Sequence, residues 1–225
     1  MITRNNLPID IETIPAQDES LKQLIADSLE APANYKDPDK IFDWKRANAD
    51  KAWRKTSFDG AYGHVAVIGY AWDDGDPVTL YSDDYVKDEP KILREFHKVV
   101  NERMAKQPGG AVRVIGHSVR EFDLRFIRQR SILLGIQLTP HIRWDAREWD
   151  TAYVFDTSFQ WAGRDGVKLS KLCDVMGLQG KGEEIGEEID GSMVWDFVER
   201  GEIAKVAAYC AGDVKRTWEI YKRMN

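Results

Sequence analysis

The sequence predicts an α/β protein: a central mixed β-sheet of about five strands flanked by α-helices. Residues 7–13 alternate with the period of two that marks a strand, and residues 64–71 and 78–82 give an alternating, β-branched run and its return across Asp73-Asp74-Gly75-Asp76-Pro77. A helical stripe over residues 89–106 then leads to a short apolar run at 112–116, the order of a crossover that lays a strand parallel to the first. Helical patterns follow to the end of the chain.

Taken in order, residues 18–30 carry Leu21, Leu24, Ile25 and Leu29 at helical spacing. Residues 31–63 hold no clear strand and read as a long inserted segment within one domain spanning 1–225. Inside it, Trp44, Lys45, Arg46, Lys51, Trp53, Arg54, Lys55 and Phe58 set five cations against the single acid Asp50. Such a run suits stacking on bases and pairing with phosphates, with Trp44, Arg46, Trp53 and Arg54 as substrate-binding candidates; a surface helix with its tryptophans packed inward fits the same pattern. In the 89–106 helix Ile92, Leu93, Phe96, Val99 and Val100 form the apolar stripe, and Pro108-Gly109-Gly110 stops it.

Residues 118–134 predict an amphipathic helix, and 136–161 a loop with short helices, in which Asp145, Glu148, Asp150 and Asp156 read as solvated surface, with an auxiliary metal ligand among them as the alternative. A helix at 169–176 ends at Gly177. The stretch 179–191, with Glu183, Glu184, Glu187 and Glu188, reads as a solvated mobile loop. Helices close the chain at 192–199, with Ser192 as N-cap, and at 202–224.

The composition sets bounds on function. Of 225 residues, 43% are hydrophobic and the net charge is -6, so overall charge advertises no polyanion partner, although a local basic patch can bind one. Cys173 and Cys210 lie far apart without metal-ligand spacing and read as reduced thiols. No signal-peptide pattern and no apolar run of transmembrane length is found, which predicts a soluble cytoplasmic protein with no membrane partner.

Three places could carry chemistry. In a strand, Asp10 and Glu12 point to one face and Ile9 and Ile11 to the other. Two like charges on one face call for a positive partner, such as a hard divalent cation; taken alone, two solvated acids on an edge strand is the commoner arrangement. Asp123 follows Gly116-His117-Ser118 at the end of a strand, where open α/β sheets bind ligands, and shares an inward face with Phe126, Ile127 and Arg130. A first-turn acid favoured by the helix dipole explains it equally well. Tyr209 and Asp213 lie one turn apart at the border of the last helix's core stripe, where a tyrosine is also common as core-edge packing. Gly212 between them costs about 1 kcal/mol relative to alanine, a cost easier to accept where the backbone must approach something closely. Four carboxylates can hold two divalent ions roughly 3.5–4 Å apart for in-line displacement at phosphorus, and a nearby tyrosine can orient or deprotonate the attacking water.

In order and spacing, Asp10-Ile11-Glu12-Thr13, Gly116-His117 through Phe122-Asp123-Leu124, and Tyr209 through Asp213 resemble the three motifs of the DEDD 3′–5′ exonuclease superfamily, in its tyrosine (DEDDy) subclass. The chain is similar to stand-alone phage exonucleases related to the proofreading domain of family B DNA polymerases. That resemblance implies a ribonuclease H-like fold, with Asp10, Glu12, Asp123 and Asp213 as ligands of two divalent cations, Mg²⁺ or Mn²⁺, and Tyr209 orienting the water. It implies substrate contacts at Thr13, His117, Ser118 and Phe122; Ser118 is shorter than the Asn many relatives carry nearby. His117 by itself reads as a turn histidine bonded to backbone, with no catalytic role. The implied activity is hydrolysis of DNA from single-stranded 3′ ends, releasing nucleoside 5′-monophosphates. Proofreading, repair or recombination would then need a separate polymerase or replication or recombination protein as partner. A 3′–5′ exoribonuclease, or a nucleic-acid-binding module that kept the fold without catalysis, are the alternatives.

Overall fold

Around Asp10 the period-two pattern becomes β1 (Arg4–Ile14), followed by β2 (His64–Tyr70), β3 (Val78–Tyr81), β4 (Ala111–Gly116) and β5 (Val154–Asp156). In the computed structural model, which describes residues 4–180 and 182–225, these form one five-stranded sheet in the order β3-β2-β1-β4-β5. β1 is antiparallel to β2 and parallel to β4, and β4 is parallel to β5. This is the mixed sheet of a ribonuclease H-like fold, as expected. The edge-strand reading of Asp10 and Glu12 is corrected in part: β1 is the middle strand of the sheet, but Asp10 and Glu12 stand on its second half, which pairs with β2 alone.

Each face of β1 enters a different core. Leu7, Ile9 and Ile11 pack with Phe96 and Val100 of α3 (Glu89–Ala105) and Phe126 and Ile127 of α4 (Asp123–Leu133). On the opposite face, Ile14, Ala66 and Val67 pack with α7 (Val194–Glu199) and with Val206, Tyr209 and Cys210 of α8 (Ile203–Met224). Fully burying such aliphatic side chains is worth about 1.5–3 kcal/mol each, so both layers are held firmly to the sheet. The β1–β2 register shifts between Glu12 and Thr13, where the partners jump from Val67 to Val65. Ala66 is the extra residue of a β-bulge, and it faces α8 together with its neighbour Val67.

Pairing of β1 with β4 ends at Pro8 and Ile115, whereas pairing with β2 continues to Ile14. The second half of β1 therefore projects past the end of β4 and borders a crevice at the carboxyl ends of the parallel strands.

The structure departs from expectation in several elements. The fifth strand, β5, falls inside 136–161, a region expected to lack strands. α4 starts at Asp123 instead of residue 118, because Ser118 takes a left-handed conformation (φ 58) that breaks the helix ahead of it. The inserted segment contains α2 (Pro38–Arg54), with Asp37 capping it and Pro38 in its first turn, followed by a 3₁₀ turn at Lys55–Phe58. α2 packs against α1 (Glu19–Ser28), which buries no residue. Ser192 is not an N-cap: its N–H and hydroxyl both donate to Asp190 Oδ1, and Met193 holds the cap position.

Away from the crevice, Arg130 forms a two-pronged ion pair with Glu89, at 2.8 and 2.7 Å, and Glu89 also accepts from the Val65 N–H. This buried network ties α3 and α4 to β2 and accounts for the inward face predicted for Arg130. Among the described residues, no helix is long and apolar enough to cross a membrane.

Candidate active site

Because Ile11 lies beyond the end of β4, its N–H has no strand partner on that side. Asp123, the first residue of α4, supplies one: its Oδ1 accepts from Ile11 N at 3.0 Å. This bond stitches the second motif onto the first. On the α8 side, the Cys210 thiol donates to the Asp10 carbonyl at 3.4 Å. Carboxylate oxygens of Asp10 and Glu12 and the Cys210 sulfur all lie within 4.8 Å of one another. Asp213, one turn further along α8, accepts from Arg216 Nε at 2.9 Å and from the Tyr209 hydroxyl. The three motifs thus meet at the projecting half of β1.

Burial makes this an electrostatically strained place. Glu12, Asp123 and Asp213 are buried, Tyr209 is enclosed, and Asp10 is half-buried. Burial pushes the Asp123 carboxyl well above the usual carboxylate range, and the charges of Asp10 and Asp156 push it the same way. Burial likewise raises the Tyr209 phenol, with Glu12, Asp213 and Asp10 adding to the effect, so the hydroxyl keeps its proton and acts as a hydrogen-bond donor. The Cys210 thiol is raised by burial and by Asp10 and Glu12, and it remains neutral.

This donor set fits hard divalent cations. It gathers carboxylate oxygens in a buried place where like charges raise one another's cost of ionisation, which a cation would relieve. A neutral thiol is a poor ligand for Mg²⁺, so Cys210 does not belong to that set. Asp10 and Glu12 supply the close carboxylate pair that could hold a cation, and the other two expected ligands, Asp123 and Asp213, stand beside it, Asp123 through Ile11 and Asp213 through Tyr209.

Arg216 is a feature the sequence reading missed. It is 5% exposed, and besides Asp213 it binds Glu184 through both terminal nitrogens (2.8 and 3.0 Å) and the Gly180 carbonyl at 3.0 Å. Burial works against its charge, but Glu184 and Asp213 outweigh burial and hold the guanidinium above its ordinary value. Glu184 is therefore no solvated loop acid, which corrects that expectation; Glu187 is also paired, with Lys205. Lys181, in the same stretch, lies outside the described residues. Gly212 explains itself here. A Cβ on it would lie 2.6 Å from Glu184 Cδ and 2.7 Å from Arg216 Nη2, so the close approach suggested by a mid-helix glycine is to this ion pair.

Asp156 was also misread as surface. It is buried at the end of β5, where it accepts from the N–H groups of Ser118 (2.9 Å), Arg120 (3.3 Å), Ser158 (3.1 Å) and Phe159 (3.2 Å). It thereby shapes the turn that delivers Asp123. The Asp156-Thr157-Ser158 pattern of a helix N-cap was the available signal.

The substrate candidates scatter. The Thr13 hydroxyl donates to the Ser57 carbonyl at 2.7 Å, and His117 bonds Thr157 (3.0 Å) and the Val167 carbonyl (2.7 Å). The Ser118 backbone is held by Asp156. Phe122 is half-buried against Phe58 and Phe126. Trp53 is buried, bonded to the Ala16 carbonyl at 2.7 Å and edge-on to Trp195, so the expectation that it stacks on substrate is corrected. Arg54 is paired with Asp50 (2.7 Å) and Asp196 (2.8 Å). Trp44 is half-buried and Arg46 exposed on α2.

Comparison with known proteins adds three findings. A profile of the family described as a predicted 3′–5′ exonuclease related to the exonuclease domain of PolB matches residues 64–225; β1, with Asp10 and Glu12, lies outside that match. An uncharacterized protein of Methanocaldococcus jannaschii is 26% identical over 137 residues, covering 57% of this chain and 73% of that protein. The family B DNA polymerase of the hyperthermophilic archaeon Pyrobaculum calidifontis has a similar fold, with a TM-score of 0.60 at 15% identity, over 98% of this chain and 24% of the polymerase. The chain thus spans about a quarter of that polymerase, and the likeness is one of fold.

Proposed function

This chain belongs to the family of predicted 3′–5′ exonucleases related to the exonuclease domain of PolB, and we propose that it trims single-stranded DNA from the 3′ end by metal-dependent hydrolysis, releasing nucleoside 5′-monophosphates. The observation that carries the reading is the meeting of Asp10, Glu12, Asp123 and Asp213 at the projecting half of β1, with the Tyr209 hydroxyl bonded to Asp213.

Two divalent cations, when bound, would supply the charge that generates hydroxide from water and stabilises the leaving oxygen. The protein's own groups set the stage for that chemistry. Asp10 and Glu12 project together from a rigid central strand. Asp123 is oriented by the Ile11 N–H. Asp213 is oriented by Arg216 through Oδ1. Tyr209, whose one proton is given to Asp213, can accept from the attacking water and so orient it. The enclosing layers of α4 and α8 limit water access and so strengthen every charge interaction inside.

The test is digestion of matched, 5′-labelled single-stranded DNA, duplex DNA and RNA with Mg²⁺ or Mn²⁺. The wild-type chain should shorten single-stranded DNA one nucleotide at a time, and Asp10→Ala or Asp213→Ala should abolish it. Full activity in both variants would sink the site assignment, and faster digestion of RNA would move the substrate to the exoribonuclease alternative.

A further inference from the structure

A groove of about 300 Å³ lies between α2, the Lys55–Phe58 turn and the start of α7, and no role assigned above uses it. Its walls include Thr13, Pro15, Phe58 and Trp195, with Lys51 and Lys55 at its margin. It adjoins the carboxylates at two points. Thr13 directly follows Glu12, and Phe58 packs 6.3 Å from Phe122, which directly precedes Asp123. The volume sits at the small end for ligand sites, the size of one flat ring system and far too small for a duplex.

The charges are arranged with the same economy. Arg54 is committed to Asp50 and Asp196, whereas Lys51 and Lys55 are exposed and have no salt bridge among the described residues. Phe58 is 53% exposed, one of several large apolar side chains left in solvent, and its open ring borders the groove. The wall beneath is stiff: Trp53 meets Trp195 edge-on at 5.5 Å, and the Thr13 hydroxyl clasps the Ser57 carbonyl.

We propose that this groove is a subsite for one unstacked nucleobase of the strand being trimmed. The base lies against Phe58, and the adjoining phosphates are held by Lys51 and Lys55. Within the basic, aromatic run of the insertion, the contacts thereby move from Trp44, Arg46, Trp53 and Arg54 to Phe58, Lys51 and Lys55. Stacking reads no sequence, because every base has a π-face, so the subsite recognises the unpaired state of the strand end. It deepens the exonuclease reading and rests on it only for the position of the cleaved bond.

The test measures binding without cleavage: fluorescence anisotropy of a labelled short oligothymidylate, with EDTA present, against the full chain. Phe58→Ala should weaken binding about 5- to 150-fold, and Phe58→Trp should retain it, which a merely structural role would not predict. Lys51→Ala with Lys55→Ala should lower the slope of log affinity against log salt by about 1.4. A blunt duplex should bind wild type and Phe58→Ala alike. Binding by Phe58→Ala within twofold of wild type, or an unchanged salt slope in the lysine variant, would overturn the subsite. If that happens while Asp10→Ala still abolishes digestion, the groove fails and the exonuclease stands; if wild type neither digests nor binds the oligonucleotide, both fail.

Discussion

Replacing Gly212 with alanine tests the ion pair over α8 by the sign of its effect. In an ordinary helix interior the change stabilises by about 1 kcal/mol. Here the new methyl would lie 2.6 Å from Glu184 Cδ and 2.7 Å from Arg216 Nη2, so the pair must separate. Both atoms end flexible side chains, but moving them breaks two charge-assisted hydrogen bonds of 2.8 and 3.0 Å with Arg216 only 5% exposed. Losing such a contact costs about 2–3 kcal/mol, which exceeds the helix gain. The net loss of about 1–2 kcal/mol should lower Tm by about 2–8 °C for a chain of this size. Differential scanning calorimetry of wild type, Gly212→Ala, Glu184→Ala and the double variant closes the cycle. In the Glu184→Ala background Arg216 can turn aside, and Gly212→Ala should there be neutral or stabilising. A rise in Tm for Gly212→Ala in the wild-type background would refute the reasoning, since the glycine would then have no close approach to accommodate.

Three further predictions follow from buried polar groups. Burial lowers the pKa of His97 from 6.5 to about 4, so the unfolded chain takes up that proton first as pH falls. Stability present above pH 6.5 should therefore be lost between about 6.5 and 4, by up to about 3 kcal/mol, and His97→Gln should flatten that part of a urea-midpoint-versus-pH curve. Glu89→Ala leaves Arg130 buried without its ion-pair partner and should cost about 3–5 kcal/mol in urea unfolding; a loss below 1 kcal/mol would show that the network contributes little. Tyr209→Phe removes the hydroxyl bonded to Asp213 and should lower kcat at least about tenfold while leaving oligonucleotide Kd unchanged; equal turnover would remove Tyr209 from the chemistry.

Where a signal was periodic and local, the fold could be read directly. β1, β2 and β3 announced themselves by alternation, and α3 and α8 by apolar stripes. β5 did not, because three residues are too few to show a period and Asp156 disguised them as polar. The start of α4 was misplaced because Ser118 adopts a conformation that composition gives no reason to expect. Within the site, Asp10, Glu12, Asp123, Tyr209 and Asp213 were each ambiguous alone; their order and spacing, through the resemblance to a known family, singled them out together. Glu184 was not, since its partner Arg216 is 32 residues away and only the folded chain brings them together. Trp53 illustrates the opposite error: a tryptophan among cations looks like a nucleic-acid contact until its indole N–H is found on the Ala16 carbonyl.

Gly69 faces Asp10 across the β1–β2 ladder, and a Cβ there would meet Cys210 Sγ at 2.8 Å and Val214 Cγ2 at 3.0 Å. One hydrogen atom therefore sets how near α8 stands to the sheet. Asp10 and Glu12 ride on the sheet and Asp213 rides on α8, so this contact acts as a spacer gauge for the opening between them. Mg²⁺ tolerates a narrow range of oxygen distances, while Ca²⁺ accepts longer and looser ones. For the divalent cations proposed above, a methyl group at position 69 should widen the gauge by tenths of an ångström and shift preference toward the larger cation, read as the ratio of Mg²⁺ to Ca²⁺ affinity, with no carboxylate altered.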